Sequence, residues 1–228
     1  MNLLFILADG QNSCFYLLSL INGNKRLLRV APNQMLNQRE VATIYNSTAR
    51  LTDFRGQLEN YISSLQIDAP IFKIDRIVIV ETEALRDFLF RDTEKITVQN
   101  PKDFTWHNQG EADVLFKRGK LLLNKNDFEQ FISYQEDTPG NLGIFERQEH
   151  VLRLIKNQVI EKNNPVMITR RFKEFTKLVT SDLKLTDVMK LLTIYQVNKR
   201  EKIVRFTAGG TTNIDLINVW KAFLEANL

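Results

Sequence analysis

The sequence predicts an α/β fold, a single domain over residues 1–228 with a central mixed β-sheet flanked by helices. Two observations predict it. Short apolar runs bounded by turn residues alternate with segments whose apolar side chains recur at helical spacing, and this interleaving continues along the chain. The 228 residues are 43% hydrophobic and 25% charged with 9 Gly and 5 Pro, enough apolar mass for one sizeable core or at most two small ones.

Leu3 to Ala8 reads as a buried first strand. It has no basic region before it and is too short for a signal peptide. Cys14 to Ile21 and Lys25 to Val30 follow, joined by Asn22-Gly23-Asn24, whose first two residues tolerate positive φ and so predict a hairpin. Leu51, Phe54, Leu58, Tyr61, Ile62 and Leu65 share one helical face, with Thr52 or Asp53 as cap, and Pro70 ends the segment. Ile71 to Val80 predicts a strand whose apolar end, Ile77 to Val80, is covered on both faces. A helix over Thr82 to Phe90 precedes a polar, turn-rich stretch from Gln99 to Gly110 that yields no assignment. Asn124 to Tyr134 predicts a short helix capped by Asn124 with Asp127 at its third position. Ser133 to Gly143 is a loop. Glu146 to about Ile160 is a long helix, and Pro165 separates it from a segment over Met167 to Val179. Leu185 to Tyr195 is helical, Glu201 to Thr207 a strand, and Ile214 to Leu224 a last helix with Leu216, Ile217, Trp220 and Phe223 inward.

Composition excludes collagen-like, disordered and disulfide-scaffold classes, and Cys14 has no second cysteine to pair with. No run approaches the roughly 20 apolar residues that cross a bilayer. The formal charge is +4, unevenly spread. Val151 to Phe206 carries 13 basic and 5 acidic side chains, a surplus that attracts anions or simply solvates helix surfaces. A DNA-binding regulator would use it, but no helix-turn-helix is evident and no nucleic-acid partner is expected. His107 and His150 lack metal-ligand spacing, so no zinc site is expected. Cys14 sits in an apolar strand where thiols pack, and no Gly-x-Ser-x-Gly elbow occurs. Ala208-Gly209-Gly210-Thr211-Thr212 before a helix is either an anion-binding turn or a plain tight turn.

The most specific wording is Gly140-Asn141-Leu142-Gly143-Ile144-Phe145-Glu146-Arg147-Gln148, opening the long helix. It resembles the Gly-Asp-x-Gly-Arg-x-x-Arg-Gln run of the LytR-CpsA-Psr family. Other landmarks stand in the family's order, from residue 2 to about residue 196. Leu3 to Asp9 resembles the first strand ending in a Gly-x-Asp turn, and Leu27 to Gln34 the strand leading to a Pro-Arg-Asp motif with Pro32 in register. Ile67-Asp68 resembles the helix-to-strand passage, Phe116 to Phe131 the Gly-x-x-Leu-x-Gly-x-x-Ala stretch, and Val179 to Leu183 a late Thr-Asp-Leu signature.

The resemblance implies a LytR-CpsA-Psr-like fold. It also implies an extracytoplasmic, membrane-anchored role in Gram-positive envelopes, moving a glycopolymer such as teichoic acid or capsule from polyprenyl pyrophosphate to peptidoglycan. Such chemistry needs several cations around the diphosphate. The sequence departs from the family at those positions: Pro-Arg-Asp reads Pro32-Asn33-Gln34, a Tyr-x-Arg-like pair reads Tyr134-Gln135-Glu136-Asp137, and the Gly-Arg pair of the run reads Gly143-Ile144. Asp9, Arg147 and Gln148 survive in register.

The expectation is therefore a degenerate member, a pseudoenzyme that binds polyprenyl-linked or anionic glycopolymer, or assists an active relative. Asp9 and Arg147 are its candidate catalytic residues; each has a plain alternative, Asp9-Gly10 as a turn and Arg147 as a structural ion pair. Asn33, Gln34, Asn141 and Gln148 are its candidate ligand-binding residues. Val151, Leu152 and Ile155 either line a lipid trough or pack the core. No cofactor is required of a binding protein, and Mg²⁺ would serve an active form. In that alternative Asp9 and Arg147, with Arg29, Arg118 or Arg153, still transfer phosphate. The family implies contact with a membrane surface, on its extracytoplasmic face if an anchor lies upstream of Met1; an unexported variant would be cytoplasmic.

Overall fold

The computed structural model describes residues 1–21, 24–65, 72–107, 112–135, 142–156, 173–174, 176–184, 186–187, 190–191, 193, 202–208 and 213–225. The chain forms two compact units, Met1–Ile79 with Thr180–Leu228, and Val80–Val179. The fold is α/β with a mixed sheet, as the sequence predicts.

The first unit opens with β1 (Asn2–Ala8), β2 (Cys14–Ile21) and β3 (Asn24–Val30), an antiparallel meander in which Ile21 pairs with Asn24, as the expected hairpin requires. A small hairpin of β4 (Met35–Leu36) and β5 (Arg39–Glu40) leads to α1 (Val41–Ser47) and α2 (Leu51–Ser64). The next strand, β6 (Arg76–Glu81), runs on into the second unit. That unit holds α3 (Thr82–Leu89), β7 (Ile96–Asn100), β8 (Phe104–Trp106), β9 (Val114–Phe116), β10 (Gly119–Leu123), α4 (Lys125–Ser133) and α5 (Leu142–Lys156). The chain returns to the first unit through β11 (Val179–Ser181), then β12 (Val204–Ala208) and α6 (Asn213–Glu225).

The six-stranded sheet has the order β11-β6-β1-β2-β3-β12. β12 lies parallel to β3, pairing Ala208 with Val30. The Asp75 amide donates to the Asn2 carbonyl at 2.9 Å, so β6 and β1 start at the same edge. Alternation sends Leu4, Ile6 and Ala8 of β1 into one core with Phe54, Leu58 and Tyr61 of α2 and Trp220 and Phe223 of α6. Three rings, Phe15, Tyr45 and Phe54, meet there with centroids 5.3–5.6 Å apart. The edge strand β11 is fastened by Asp182, whose carboxylate accepts the Ile77 amide at 2.6 Å and pairs with Arg55. Asp187 is held well below the usual carboxylate range by the Arg76 guanidinium, 2.6 Å away, and by the Lys184 amide.

Several expectations need correction. The N-cap of α2 is Arg50 and no side chain caps it, so neither Thr52 nor Asp53 plays that part; Asp53 sits in the first turn, where the helix dipole favours an acid. The strand expected from Ile71 is β6, beginning at Arg76; Phe72 and Ile74 are buried without joining the ladder. The stretch from Gln99 to Gly110 contains the end of β7 and all of β8. α5 starts at Leu142, not Glu146, which moves Arg147 from the first helical turn into the second. The Asn124 cap of α4 holds: its Oδ1 accepts the amides of Asn126 and Asp127 at 2.9 and 3.0 Å. The turn residues Asn22 and Gly23, Pro70, Pro165, Val159 with Ile160, and most of Met167 to Val179 and Leu185 to Tyr195 lie outside the described residues.

Candidate functional site

β1, β3 and β12 all end at one edge of the first unit's sheet, since β3 is two antiparallel steps from β1 and β12 is parallel to β3. Side chains just beyond such strand ends face the crevice where open α/β sheets bind ligands. Asp9 stands there after β1. Its turn is well made. The Asn12 amide donates to the Asp9 carbonyl at 2.9 Å, the Asp9 amide donates to Ser13 Oγ at 3.0 Å, and Gly10 takes a φ of 55°.

One strand away, Ala31 to Gln34 leaves β3 in a turn in which the Gln34 amide donates to the Ala31 carbonyl at 3.0 Å. Asn33 is exposed. Gln34 is buried, its backbone carbonyl accepts the Val41 amide at 2.8 Å, and its side-chain amide reaches the Met35 carbonyl at 3.4 Å. The structure thus brings Asp9, Asn33 and Gln34 to one edge, with a single acid and two neutral amides. Arg29 lies buried in β3 beside Tyr16 and Thr207 of the adjoining strands.

In the second unit Arg147 and Gln148 are both buried in α5, and Arg147 has no accessible surface at all. The last carbonyls of α4 have no intrahelical partner and carry the negative end of its dipole. Arg147 and Gln148 answer that need together: Arg147 Nη2 donates to the Tyr134 carbonyl, and Gln148 Nε2 to the Ile132 carbonyl at 3.3 Å. Aromatic faces surround the guanidinium. The Phe104, Tyr134 and Phe131 rings lie 4.6, 5.6 and 5.7 Å from its carbon, and Phe104 itself stacks on Tyr134 at 4.3 Å and on Phe116 at 4.7 Å. The sequence reading missed this ring cluster. Its signal is the aromatic density between Phe104 and Tyr134, which periodicity alone assigns to ordinary core.

Ile144, read from the sequence resemblance as standing where the family has an arginine, is fully buried, as are Val151 and, nearly so, Ile155; Leu152 is half-buried. α5 packs against α4 and β7 through this face, which favours core packing over a trough. Asn141 lies outside the described residues, as do Gly209 to Thr212 and five of the thirteen basic residues between Val151 and Phe206, namely Lys162, Arg170, Arg171, Lys199 and Arg200. Arg118 and Arg153 are exposed; the Arg118 amide donates to Asp103, and Arg153 Nε donates to the Glu149 carbonyl at 3.2 Å. Among the described residues no group of three or more His, Cys, Asp or Glu side chains could hold a metal ion. Asp9, flanked by amides, does not build a protein site for Mg²⁺, an ion that takes carboxylate oxygens in a near-octahedral shell.

His150, one turn from Arg147, accepts the Gln99 amide of β7 through Nε2 at 3.0 Å. Burial, aided by Arg153, pushes its pKa below the ordinary 6.5. The unfolded chain therefore takes up the proton first, and the stabilising effect of neutral His150 is present above about pH 6.5 and fades as the pH falls through the lowered folded value. Thermal melting between pH 7.5 and 5.5 should show a larger loss of Tm for the natural chain than for His150→Gln. Equal losses would assign the acid sensitivity elsewhere.

Comparison with known proteins matches the LytR_cpsA_psr family over residues 69–226, a stretch drawn from both units. No curated protein matches the chain. Solved structures do. TagV from B. subtilis is 16% identical with a TM-score of 0.63, the alignment covering 99% of this chain and 96% of that one. TagU from B. subtilis is 15% identical with a TM-score of 0.63 and coverages of 100% and 96%. A LytR-Csp2A-Psr enzyme from Actinomyces oris is 14% identical with a TM-score of 0.61 and coverages of 96% and 89%. At these identities the likeness is one of fold. Among the described residues no helix is long and apolar enough to cross a membrane.

Proposed function

The chain belongs to the LytR-CpsA-Psr family, whose members work on cell-envelope glycopolymers, and from that premise we propose that it binds a polyprenyl-linked or anionic glycopolymer, or assists an active relative, without efficient phosphotransfer. Under this reading residues 1–228 act as one LytR-CpsA-Psr-like domain at the extracytoplasmic face of the membrane. Asp9, Asn33 and Gln34 contact the ligand, and Arg147 is at most a residual catalytic group.

The observation that carries the reading is the state of Arg147. Bond breaking in a diphosphate develops charge on the departing phosphate, and stabilising it takes donors aimed at the reacting oxygens. Arg147 is instead enclosed by rings with its guanidinium on the end of α4. At the sheet edge, Asn33 and Gln34 offer dipoles in place of a cation and an acid. Loss of one preorganised donor commonly costs about 100- to 1000-fold in rate, and several are missing together. Amides and a single carboxylate can still orient a polar headgroup through hydrogen bonds, so binding is the function that outlasts the lost charges.

Incubation with farnesyl pyrophosphate, with and without Mg²⁺, tests the proposal. Saturable binding is expected, with phosphate release at least about 1000-fold slower than by a relative that keeps the family's arginines. Mass spectrometry of lipid co-purifying with the chain should show a polyprenyl species. Turnover at the relative's rate, abolished by Asp9→Ala, would establish the active phosphotransferase instead. Absence of both binding and turnover would overturn the proposal.

A further inference from the structure

In the second unit the ribbon of β7 against β10 has one covered edge and one open one. On the β7 side the Gln99 amide donates to His150 Nε2 of α5 at 3.0 Å, so that amide points away from β10. In an antiparallel ladder, opposed residues alternate between pairs that exchange both hydrogen bonds and pairs whose amides and carbonyls face outward. Gln99 opposes Lys120 and Thr97 opposes Leu122, so both pairs are of the outward kind. The N–H and C=O groups of Lys120 and Leu122 therefore point off the free side of β10, and among the described residues nothing pairs with them there.

This open edge is short, positive and partly apolar. Gly119 begins it with a φ of 110°, where a Cβ would meet no atom within 4 Å, so the glycine serves conformation and not space. Buried Asn100 holds the bend before it, its Nδ2 donating to the Phe116 and Lys117 carbonyls at 3.1 and 3.0 Å. Such a bend interrupts pairing, which confines any added strand to β10. Lys120 and Leu122 share one face of the ribbon and alternate with Leu121 and Leu123 on the other. Leu122 is 60% exposed, more than any other large apolar side chain among the described residues. Lys117 pairs with Asp103 at 3.6 Å, whereas Lys120 is exposed with no ion-pair partner among the described residues, and exposed Arg118 precedes it by two positions. Cations on an open edge oppose self-pairing, because a second copy would gather the positive charges of both chains within one Debye length. They favour a strand of the opposite charge.

We infer that the free edge of β10 is a docking site for an extended, acidic segment of a partner protein, added antiparallel as a third strand with an acid opposite Lys120 and an apolar residue opposite Leu122. The antiparallel orientation lets both residues exchange two hydrogen bonds with the incoming strand. Those main-chain bonds supply attachment, and the two side chains supply the choice of partner. The inference goes beyond the glycopolymer reading and does not depend on it, because no residue of β10 belongs to the ligand or catalytic set of that reading.

Titration of the full chain with the peptide Thr-Thr-Val-Thr-Glu-Thr-Thr, followed by amide chemical shifts in NMR, is the test. Saturable binding is expected, with the largest shifts at the Lys120 and Leu122 amides, and it should weaken as NaCl rises from about 0.05 to about 0.5 M. A peptide with Lys in place of Glu should bind about tenfold more weakly, and Lys120→Glu, at an exposed position, should invert that preference. N-methylation of the peptide's Val and Glu amides should abolish binding, while methylation of the Thr between them, whose amide faces away from β10, should leave it. Lys120→Glu should not change binding of farnesyl pyrophosphate, which separates failure here from failure of the glycopolymer reading. No saturation by about 1 mM peptide, equal binding of the acidic and basic peptides, or indifference to methylation would overturn the inference. Two other results would overturn it as well: a dimer of the chain alone that Leu122→Pro breaks apart, which assigns the edge to a second copy, or binding to phosphatidylglycerol vesicles that Lys120→Glu abolishes, which assigns it to a membrane.

Discussion

Arg147→Ala is expected to destabilise the second unit by about 3–5 kcal/mol, the range seen when one partner of a buried charged constellation is removed. Three losses contribute. The Tyr134 carbonyl at the end of α4 loses a charged donor, a penalty of about 1–3 kcal/mol when the acceptor stays buried. The faces of Phe104, Phe131 and Tyr134 lose a cation they hold out of water, worth about 0.5–2 kcal/mol. The space left within the ring cluster is a cavity. Arg147→Lys should recover only part of the loss, because an ammonium cannot lie flat against the Phe104 ring while reaching the carbonyl. Denaturant unfolding measures the change, and hydrogen exchange should locate it in α4 and α5. A variant as stable as the natural chain, yet unable to bind farnesyl pyrophosphate, would make Arg147 a ligand residue and not a strut.

Under the proposed reading, in which Ile144 stands where the family carries an arginine, Ile144→Arg is expected to unfold the second unit before it restores any chemistry. Ile144 has no accessible surface, so the new guanidinium would be desolvated without a partner at a cost of several kcal/mol, a large share of the 5–15 kcal/mol that stabilises a typical domain. Ile144→Met, which changes shape but adds no charge, should cost under about 1.5 kcal/mol. Asn33→Arg, at an exposed position, should alter stability by less than about 0.5 kcal/mol. The packing of α5 thus opposes a cation at position 144, while position 33, at the surface, would accept one. A folded Ile144→Arg chain with a melting temperature equal to that of Ile144→Met would refute this.

The parts of this structure that short-range chemistry decides were readable in advance. Asn124 and Asp127 sit three apart before an apolar run, and the capping box of α4 is formed as that spacing demands. The β2–β3 hairpin follows from turn residues between two apolar runs. The errors fall where tertiary partners override local signals. The turn residues before Gly143 suggest a loop over Ser133 to Gly143 and a helix from Glu146, yet burial of Ile144 and Phe145 draws the start of α5 back to Leu142. Phe72 and Ile74 have strand character but find core contacts outside the sheet. At the candidate site, the sequence alone places Asp9 after the first strand and Arg147 on the long helix, and both lie there. The surroundings of Arg147 could not be read, because Phe104 lies 43 positions earlier and no periodicity links the two.

The pairing of β12 with β3 has a bearing on how the chain is made. Phe206 and Leu28 are partners in the ladder although 178 positions separate them, and the entire second unit is threaded between the two pieces of the first. During synthesis the ribosome delivers Met1–Ile79 long before the strand that completes its sheet, so the outer side of β3 stays open to strangers until the tail emerges. The intervening unit, contiguous in sequence, can mature early and hold the two halves in reach, whereas the surrounding sheet must close a long loop and should be the slow, aggregation-exposed step of biogenesis.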